Sequence, residues 1–504
     1  MAAEAVVWAV CGLAGRLDAV EAGTQGRGSL ARRGLHWFRN DLRLSDNTAL
    51  EEAASRCDAL ELLFVLDDRL LGSPSMGAAR IRFLCESLRA LSELAESRGQ
   101  RLRIRRGDPR EVVPQEVRRA KADLLTFNRD TTPWARARDR AVCEALSGQG
   151  VEIRSSTDRV VFAGDAVRTQ AGHPYTVFTP YRKAWLERYA KHRPAARRAP
   201  RLPPPIAETR ESTSVPEPTA LGFEACHADL PASGGEEAGR RRLGYFLNRV
   251  VERYAEDRDR PAIDGTSRLS PHLHFGTISV RQCLDTARDA ATDDPRRRQG
   301  IDKWVDELVW REFYAQVLEH HPRAARRSFR TEYDAIEWED RDDRFEAWCA
   351  GETGFPIVDA GMRQLRETGW MHNRLRMIVA SFLTKDLLID WRRGEAHFSR
   401  LLVDADAASN NGGWQWAAST GTDAQPWFRI FNPTRQGERF DPEGDYVRRF
   451  VPELAGLDGS AIHQPEASPL LAPGYPAPIV SHAEQRAEAL RRYERVRKGG
   501  TRGC

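Results

Sequence analysis

"LELLFVL" (residues 60–66), "AARIRFLCESLRALSELAES" (78–97) and "RLRI" (101–104) follow one another closely, and the fold turns on how they are read. The first is a short apolar run of the kind a strand supplies. In the second, apolar side chains recur every three or four residues, the period of an amphipathic helix. The third is again strand-like. The same alternation continues on both sides, with "LHWF" (35–38) before and "ADLLTF" (122–127) and "VEI" (151–153) after. Strands alternating with helices predict a parallel, Rossmann-like sheet with helices on both faces. Yet "RNDLRLSDN" (39–47), which follows the first strand, contains no GxGxxG. A dinucleotide is therefore not expected to bind there in the usual way.

At 504 residues the chain has room for two or three domains. Hydrophobic residues make up 41% and charged residues 30%, the balance of a soluble globular protein. A formal charge of +4 excludes a histone-like binder but leaves room for a local cationic patch. Eight cysteines are scattered without a CxxC, which reads as reduced thiols in a cytoplasmic protein and argues against zinc. No apolar run approaches the roughly 20 residues of a membrane span. Residues 1–33 read as a disordered N-terminal extension, since "AVVWAVCGLAG" lacks the basic flank of a signal peptide. Residues 34–160 form the expected α/β domain. Residues 161–238, Pro-rich at "RAPRLPPPIAETRESTSVPEPTA", are read as a connecting linker, and 239–498 as a large all-α domain.

Nine of the thirteen tryptophans lie between residues 304 and 427, in the expected helical domain. Core filling would explain each one singly. It does not explain why several stand beside Arg, Asn, Asp and Gly. In "WVDELVWREFYAQVL" (304–318), Glu307, Trp310, Arg311 and Tyr314 share a helical face. A half-exposed, salt-bridged face would give this pattern, and so would a wall that stacks on a flat polar ligand. "DGTSRLSPHLHFG" (264–276) groups hydroxyls with an arginine, suited to holding a pyrophosphate or, more plainly, to capping a helix. "TGWMHNRLRM" (368–377) offers an amide edge-reader in Asn373 and a phosphate clamp in Arg374, with His372 a structural hydrogen-bonder. In "DADAASNNGGWQW" (404–416), the acids read as partners of an arginine such as Arg376. On a helix, Trp414 and Trp416 would point about 200° apart and serve different surfaces.

Taken together these segments resemble the photolyase/cryptochrome family, specifically bacterial-type (class I) cyclobutane pyrimidine dimer photolyases. The resemblance runs from about Leu35 to about Lys498. It is carried by "WFRNDLRLSDN", "YAEDRDRPAIDGTSRLSPHLHFG", "DELVWREFY", "GFPIVDAGMRQLRETGWMHNRLRM", "KDLLIDW" and "DADAASNNGGWQWAASTGTDAQPWFRIFNP". It implies an α/β antenna domain and a helical domain holding reduced FAD. The cofactor would contact Tyr254, Thr266, Ser267, Arg268, Leu269, Ser270, Trp304, Arg376, Asp404, Ala405 and Asp406. Arg376 and Asp404 would pair beside the flavin. Asn410 would sit by flavin N5, and the glycines after it would let backbone approach the ring. Glu307, Trp310, Asn373, Met377 and Trp416 would line the substrate pocket, with Arg258, Arg311 and Arg374 near the DNA backbone. Trp414, Trp391 and Trp338 would form an electron chain.

The implied activity is that of a deoxyribodipyrimidine photo-lyase, acting as a cytoplasmic monomer on UV-damaged DNA. Excited FADH⁻ gives an electron to a flipped-out dimer, the cyclobutane ring opens, and the electron returns. Extruding a base costs a few kcal/mol, least for a damaged one, a general figure for base-flipping enzymes that already includes photolyases. Stacking on an indole recovers about 1–3 kcal/mol per base. "LTFNRDTTPWARARD" (125–139) resembles the deazaflavin-binding form of the antenna loop more than the methenyltetrahydrofolate-binding form, and an empty antenna stays open. Asp306 departs from the Asn of some members. The alternative is a cryptochrome-type blue-light photoreceptor on the same fold. A six-four photolyase is disfavoured because Asn373 stands beside the position where that class has His.

Overall fold

A computed structural model of the chain describes residues 32–206, 214–224, 230–467, 470 and 472–500. Residues 1–31 of the expected extension lie outside them. All five apolar runs form strands: β1 (Arg33–Phe38), β2 (Ala59–Asp67), β3 (Leu102–Gly107), β4 (Leu124–Asn128) and β5 (Glu152–Ser156). They make one parallel sheet in the order β3-β2-β1-β4-β5. The continuous apolar run of β2 has a direct cause, because both of its faces are covered. Leu62, Phe64 and Leu66 pack into one layer with Ile81, Cys85 and Leu88 of the helix Ala78–Glu96. Leu63 and Val65 pack into the other with Val113 and Val117 of the helix Pro109–Ala120. Each leucine buried this way contributes about 1.5–3 kcal/mol.

Strand order reverses between β1 and β4, where ligand crevices open in sheets of this kind. The loop after β1 is used differently, to dock the helical part of the chain. Leu42 N–H donates to Phe275 O at 3.1 Å, Arg43 Nη1 to Gly276 O at 3.0 Å, and Leu44 N–H to Glu236 Oε2 at 2.8 Å. Gly276 has φ +65°, and a Cβ there would overlap the Asn40 carbonyl, so the approach demands glycine.

A buried ionic knot closes the same seam. Asp158 accepts from Arg43 Nη2 and from Arg281 Nη2, each at 2.6 Å, and Arg281 Nε donates to Asp46 Oδ2 at 2.9 Å. All four side chains are buried. From Gly239 onward every regular element among the described residues is helical. The longest is Pro295–His320, capped by Asp294 with proline in its first turn.

Residues 161–238, expected as a linker, contain the helix Phe178–Lys191. Its Phe178, Tyr181 and Trp185 are buried in one core with Leu308, Phe313 and Val317 of the long helix. Buried Glu312 binds it by accepting Trp185 Nε1 at 2.7 Å, along with Val161 N–H at 2.6 Å and Phe162 N–H at 3.0 Å. Prolines on either side masked the three-, four- and seven-residue spacing of those aromatics.

Burial by itself would raise the Asp158 pKa, but Arg43 and Arg281 outweigh it and hold it at about 2. The folded value lies below the unfolded one of about 3.9, so this stabilisation is present above pH 4. It is lost as pH falls toward 2. Asp158→Asn should cost about 3–5 kcal/mol in urea unfolding at pH 7. It should also flatten the acid limb of the stability–pH curve.

Candidate functional site

The helix Pro295–His320 presents its polar-aromatic face to a set of elements that the sequence places far apart. Trp304 is buried against Phe246, with ring centroids 5.1 Å apart. Glu307 Oε1 accepts from Arg258 Nη1 at 2.6 Å, and the Arg258 guanidinium lies 5.5 Å over the Tyr254 ring. Burial, with Glu307 nearby, pushes the Tyr254 phenol up, so it stays a neutral donor. Half-buried Trp310 stacks face to face on Phe178, 3.6 Å between centroids and 9° between planes. Asp306 pairs with Arg182 of the helix Phe178–Lys191, so the charge that departs from the family pattern is matched by its own cation.

Facing this wall is the segment 264–270. Arg242 takes the carbonyls of Thr266 and Ser267, each at 2.8 Å, and pins the loop. Arg268 adopts φ +50°, pairs with Asp264 at 2.9 Å and lies 5.4 Å over the Trp370 ring. Leu269 is buried beneath and precedes the helix Ser270–Phe275. Arg376 Nη2 donates to both oxygens of Asp404, at 3.0 and 2.8 Å, so the expected pair is present. Ala405 is buried between the two acids. Asp406 caps the helix Ala407–Ala417 through Ser409 N–H at 2.9 Å, and its other oxygen pairs with Arg159 at 2.8 Å. Burial would raise its pKa, but Arg159 and Arg311 hold it well below the carboxylate range.

"NNGGWQW" therefore lies inside a helix and does not begin one. Asn410 Nδ2 donates to Glu395 O at 3.1 Å and Ser399 Oγ at 2.9 Å, which leaves its Oδ1 as the acceptor. Trp414 is buried and Trp416 half-buried, as their opposed directions require. The two glycines differ. A Cβ on Gly412 would overlap the Tyr314 ring, so that glycine is required by protein packing. A Cβ on Gly413 meets nothing within 4 Å.

The three arginines expected near the DNA backbone each make contacts within the protein. Arg258 is turned onto Glu307, because a carboxylate 2.6 Å away outcompetes solvent. Arg311 points inward and donates to Arg159 O at 2.6 Å and Leu273 O at 3.1 Å. Arg374 pairs with Asp259 at 2.8 Å and lies 4.3 Å over Phe440. Asn373 is exposed one turn from Met377, its Nδ2 3.9 Å from the Met377 sulfur, on a helix capped by His372. Trp391 and Trp414 share one core, with Trp338 at its edge. The ring neighbours of Trp414 are Phe398 at 5.0 Å and Trp348 at 6.1 Å.

Sequence reasoning missed Arg159, Glu395 and Ser399. Glu395 and Ser399 follow Trp391 at steps of four, a spacing that could have found them. Nothing local marks Arg159. Burial lifts the Glu395 carboxyl to about 7, and its Oε1 accepts Asn411 Nδ2 at 3.0 Å.

A five-stranded parallel sheet with its covering helices, docked through buried ion pairs on an all-helical part, defines the class of fold. A family model described as DNA photolyase matches residues 34–203, and one described as the FAD binding domain of DNA photolyase matches residues 304–495. A deoxyribodipyrimidine photo-lyase of Halobacterium salinarum is 42% identical over 482 residues, spanning 92% of this chain and 99% of its own. A class III photolyase of Agrobacterium tumefaciens superposes with TM-score 0.84 at 37% identity, covering 94% of this chain and 99% of that one. An archaeal photolyase of Sulfolobus tokodaii with two FAD molecules gives TM-score 0.79 at 34% identity, covering 92% and 100%. The chain belongs to the DNA photolyase family.

The residues present fit FAD. His274 Nδ1 is buried without a partner, beside Asp404, Asp406 and Arg159, as a polar atom awaiting a ligand would be. Arg268 is a cation of the kind that suits a pyrophosphate, the Arg376–Asp404 pair is a polar group of the kind that suits the edge of a flavin, and Tyr254 and Trp304 are buried aromatics on the same side. The open space at Gly413 suits close approach of a ring. Gly412→Ala should lower the melting temperature of the apoprotein by forcing Tyr314 aside, a cost of about 1–3 kcal/mol. Gly413→Ala should leave that temperature unchanged or slightly raised and reduce FAD content, read from the flavin absorbance of the purified protein.

Proposed function

We propose that this chain uses light to split cyclobutane pyrimidine dimers, with the dimer flipped out of DNA into the cleft bordered by Glu307, Trp310, Asn373, Met377 and Trp416. The observation that carries the reading is the Arg258–Glu307 pair set beside the Trp310 stack. A carboxylate fixed by one oxygen keeps the other to accept from a base edge, and an indole next to it supports the base plane. Curated relatives of nearly full length carry the photo-lyase name, which favours repair over cryptochrome-type signalling.

Reduced FAD, which Tyr254, the segment 266–270, Trp304 and Asp404–Asp406 would hold, would when bound supply the excited electron for dimer opening. The protein's own groups do the rest. Asn410, held by Glu395 and Ser399, offers Oδ1 as a fixed acceptor. Arg376 and Asp404 form a neutral pair that adds polarity without net charge. Glu307 steadies the dimer edge electrostatically, at low reorganisation cost because Arg258 already orients it. Buried Trp391 and Trp414, with Trp338 outward, provide an oxidisable route to the surface.

Residues 34–160 serve as the antenna domain and 239–498 as the cofactor and substrate domain. The antenna chromophore is a deazaflavin in preference to methenyltetrahydrofolate. Arg69 and Arg138 flank the Trp134 indole at 5.2 and 5.1 Å, giving an aromatic surface bordered by guanidinium groups near the end of β4 suited to a fused ring. Among the described residues no helix is long and apolar enough to cross a membrane, and we assign the protein to the cytoplasm as a monomer.

The test is blue-light illumination of the reduced protein with UV-irradiated oligothymidine, following dimer loss. Light-dependent release of intact thymines is expected; binding with flavin photoreduction but no release would favour a photoreceptor. Glu307→Ala should lower repair quantum yield by more than it lowers DNA affinity, whereas equal losses would make Glu307 a simple binding residue.

A further inference from the structure

Phe178 lies in a segment that no motif marks, yet it covers one whole face of Trp310. Trp310 is also boxed at its edge by Phe313, 5.6 Å away at 84°, and by Tyr314 at 5.5 Å. The indole nevertheless stays half-buried, so it keeps an open side. Phe178 is itself buried, edge-on to Phe313 at 5.8 Å, and cannot swing away without opening the core.

The backbone of Phe178 is held as firmly as its ring. It begins the helix Phe178–Lys191, whose N-cap Val177 offers no side-chain acceptor. Asp423 supplies one from outside, accepting Phe178 N–H at Oδ2 across 2.9 Å. Thr422 Oγ1 donates to Thr176 O, and Gln316 Nε2 donates to Tyr175 O at 2.7 Å. Asp423 belongs to the turn that directly follows the Trp416 helix, and it adopts φ +45° to reach this position. Gln316 belongs to the Trp310 helix. The segment 175–178 is thus gripped from the element bearing Trp310 and from the turn beside the element bearing Trp416.

We propose that Phe178 is a positioning residue: the back wall that fixes the plane of Trp310, itself indexed to the Trp416 side of the cleft through Asp423. The proposal rests on the reading of Trp310 as the surface on which the flipped dimer stacks. A free indole would tilt and lose stacking area. With one face against Phe178, it meets an incoming base with its plane already set, so little ordering cost is added on binding.

A double-mutant cycle tests this, using affinities for UV-irradiated and for undamaged oligothymidine measured in the dark on FAD-loaded protein. Phe178→Leu should weaken damaged-DNA binding about three- to tenfold, the scale of an aromatic pair, without changing undamaged-DNA binding. Repair yield at saturating DNA should hold. In a Trp310→Ala background the same substitution should cost nothing further, and Phe178→Trp should restore affinity by restoring a flat wall. Equal losses in both backgrounds, or parallel losses for both DNAs, would overturn the proposal. If Trp310→Ala left damaged-DNA affinity intact, the stacking role of Trp310 would fall, and the role of Phe178 with it. Should Phe178→Leu lose FAD or melt early, Asp423→Asn takes its place in the same cycle, with the same outcomes deciding.

Discussion

Asp46 and Asp158, buried, and Asp406, half-buried, are carboxylates where the sheet domain meets the helical one, each bonded to an arginine from another part of the chain. An unpaired buried charge costs several kcal/mol, so such a pair tolerates little misalignment. Its contribution to net stability is modest beside an apolar replacement, but its contribution to geometry is large. Arg159 illustrates this. One guanidinium arm holds Asp130 at 2.7 Å, beside the loop expected to face an antenna, and the other holds Asp406. Since Asp406 also caps the helix that carries Asn410, Trp414 and Trp416, the orientation of that helix is referenced to the sheet.

The helix Ala407–Ala417 shows how much one short element can be asked to do. Its glycines weaken it by about 0.5–1 kcal/mol each relative to alanine. Tertiary packing outweighs that deficit, because Gly412 admits the Tyr314 ring and Gly394 on the neighbouring helix admits the Trp414 indole. Intrinsic propensity is sacrificed where close approach is needed, and the helix survives because it is packed from both sides.

Much of this was legible beforehand. The five strands were readable because apolar runs of that length, separated by helical periods, have few other ways to be buried. The face of Glu307, Trp310, Arg311 and Tyr314 was readable because helical geometry fixes which residues are neighbours. Apart from the Arg376–Asp404 pair, what the arginines would bond to was not. Arg258, Arg311 and Arg374 are alike as letters, and each was expected to meet phosphate. One has turned onto a carboxylate, one onto two carbonyls, and one onto Asp259 and an aromatic ring. The helix Phe178–Lys191 was hidden for a related reason, since its buried aromatics acquire meaning only against Leu308 and Phe313.

The sequence by itself determined the fold class and the family, because periodicity and motif order are properties of the chain read along its length. Tertiary structure decided the pairings: Arg159 with Asp406, Glu307 with Arg258, Phe178 with Trp310. Those depend on which side chains arrive within a few ångströms across separations of 49 to 247 residues. The energy that selects among them, desolvation set against a specific partner, exists only once the surrounding core has excluded water.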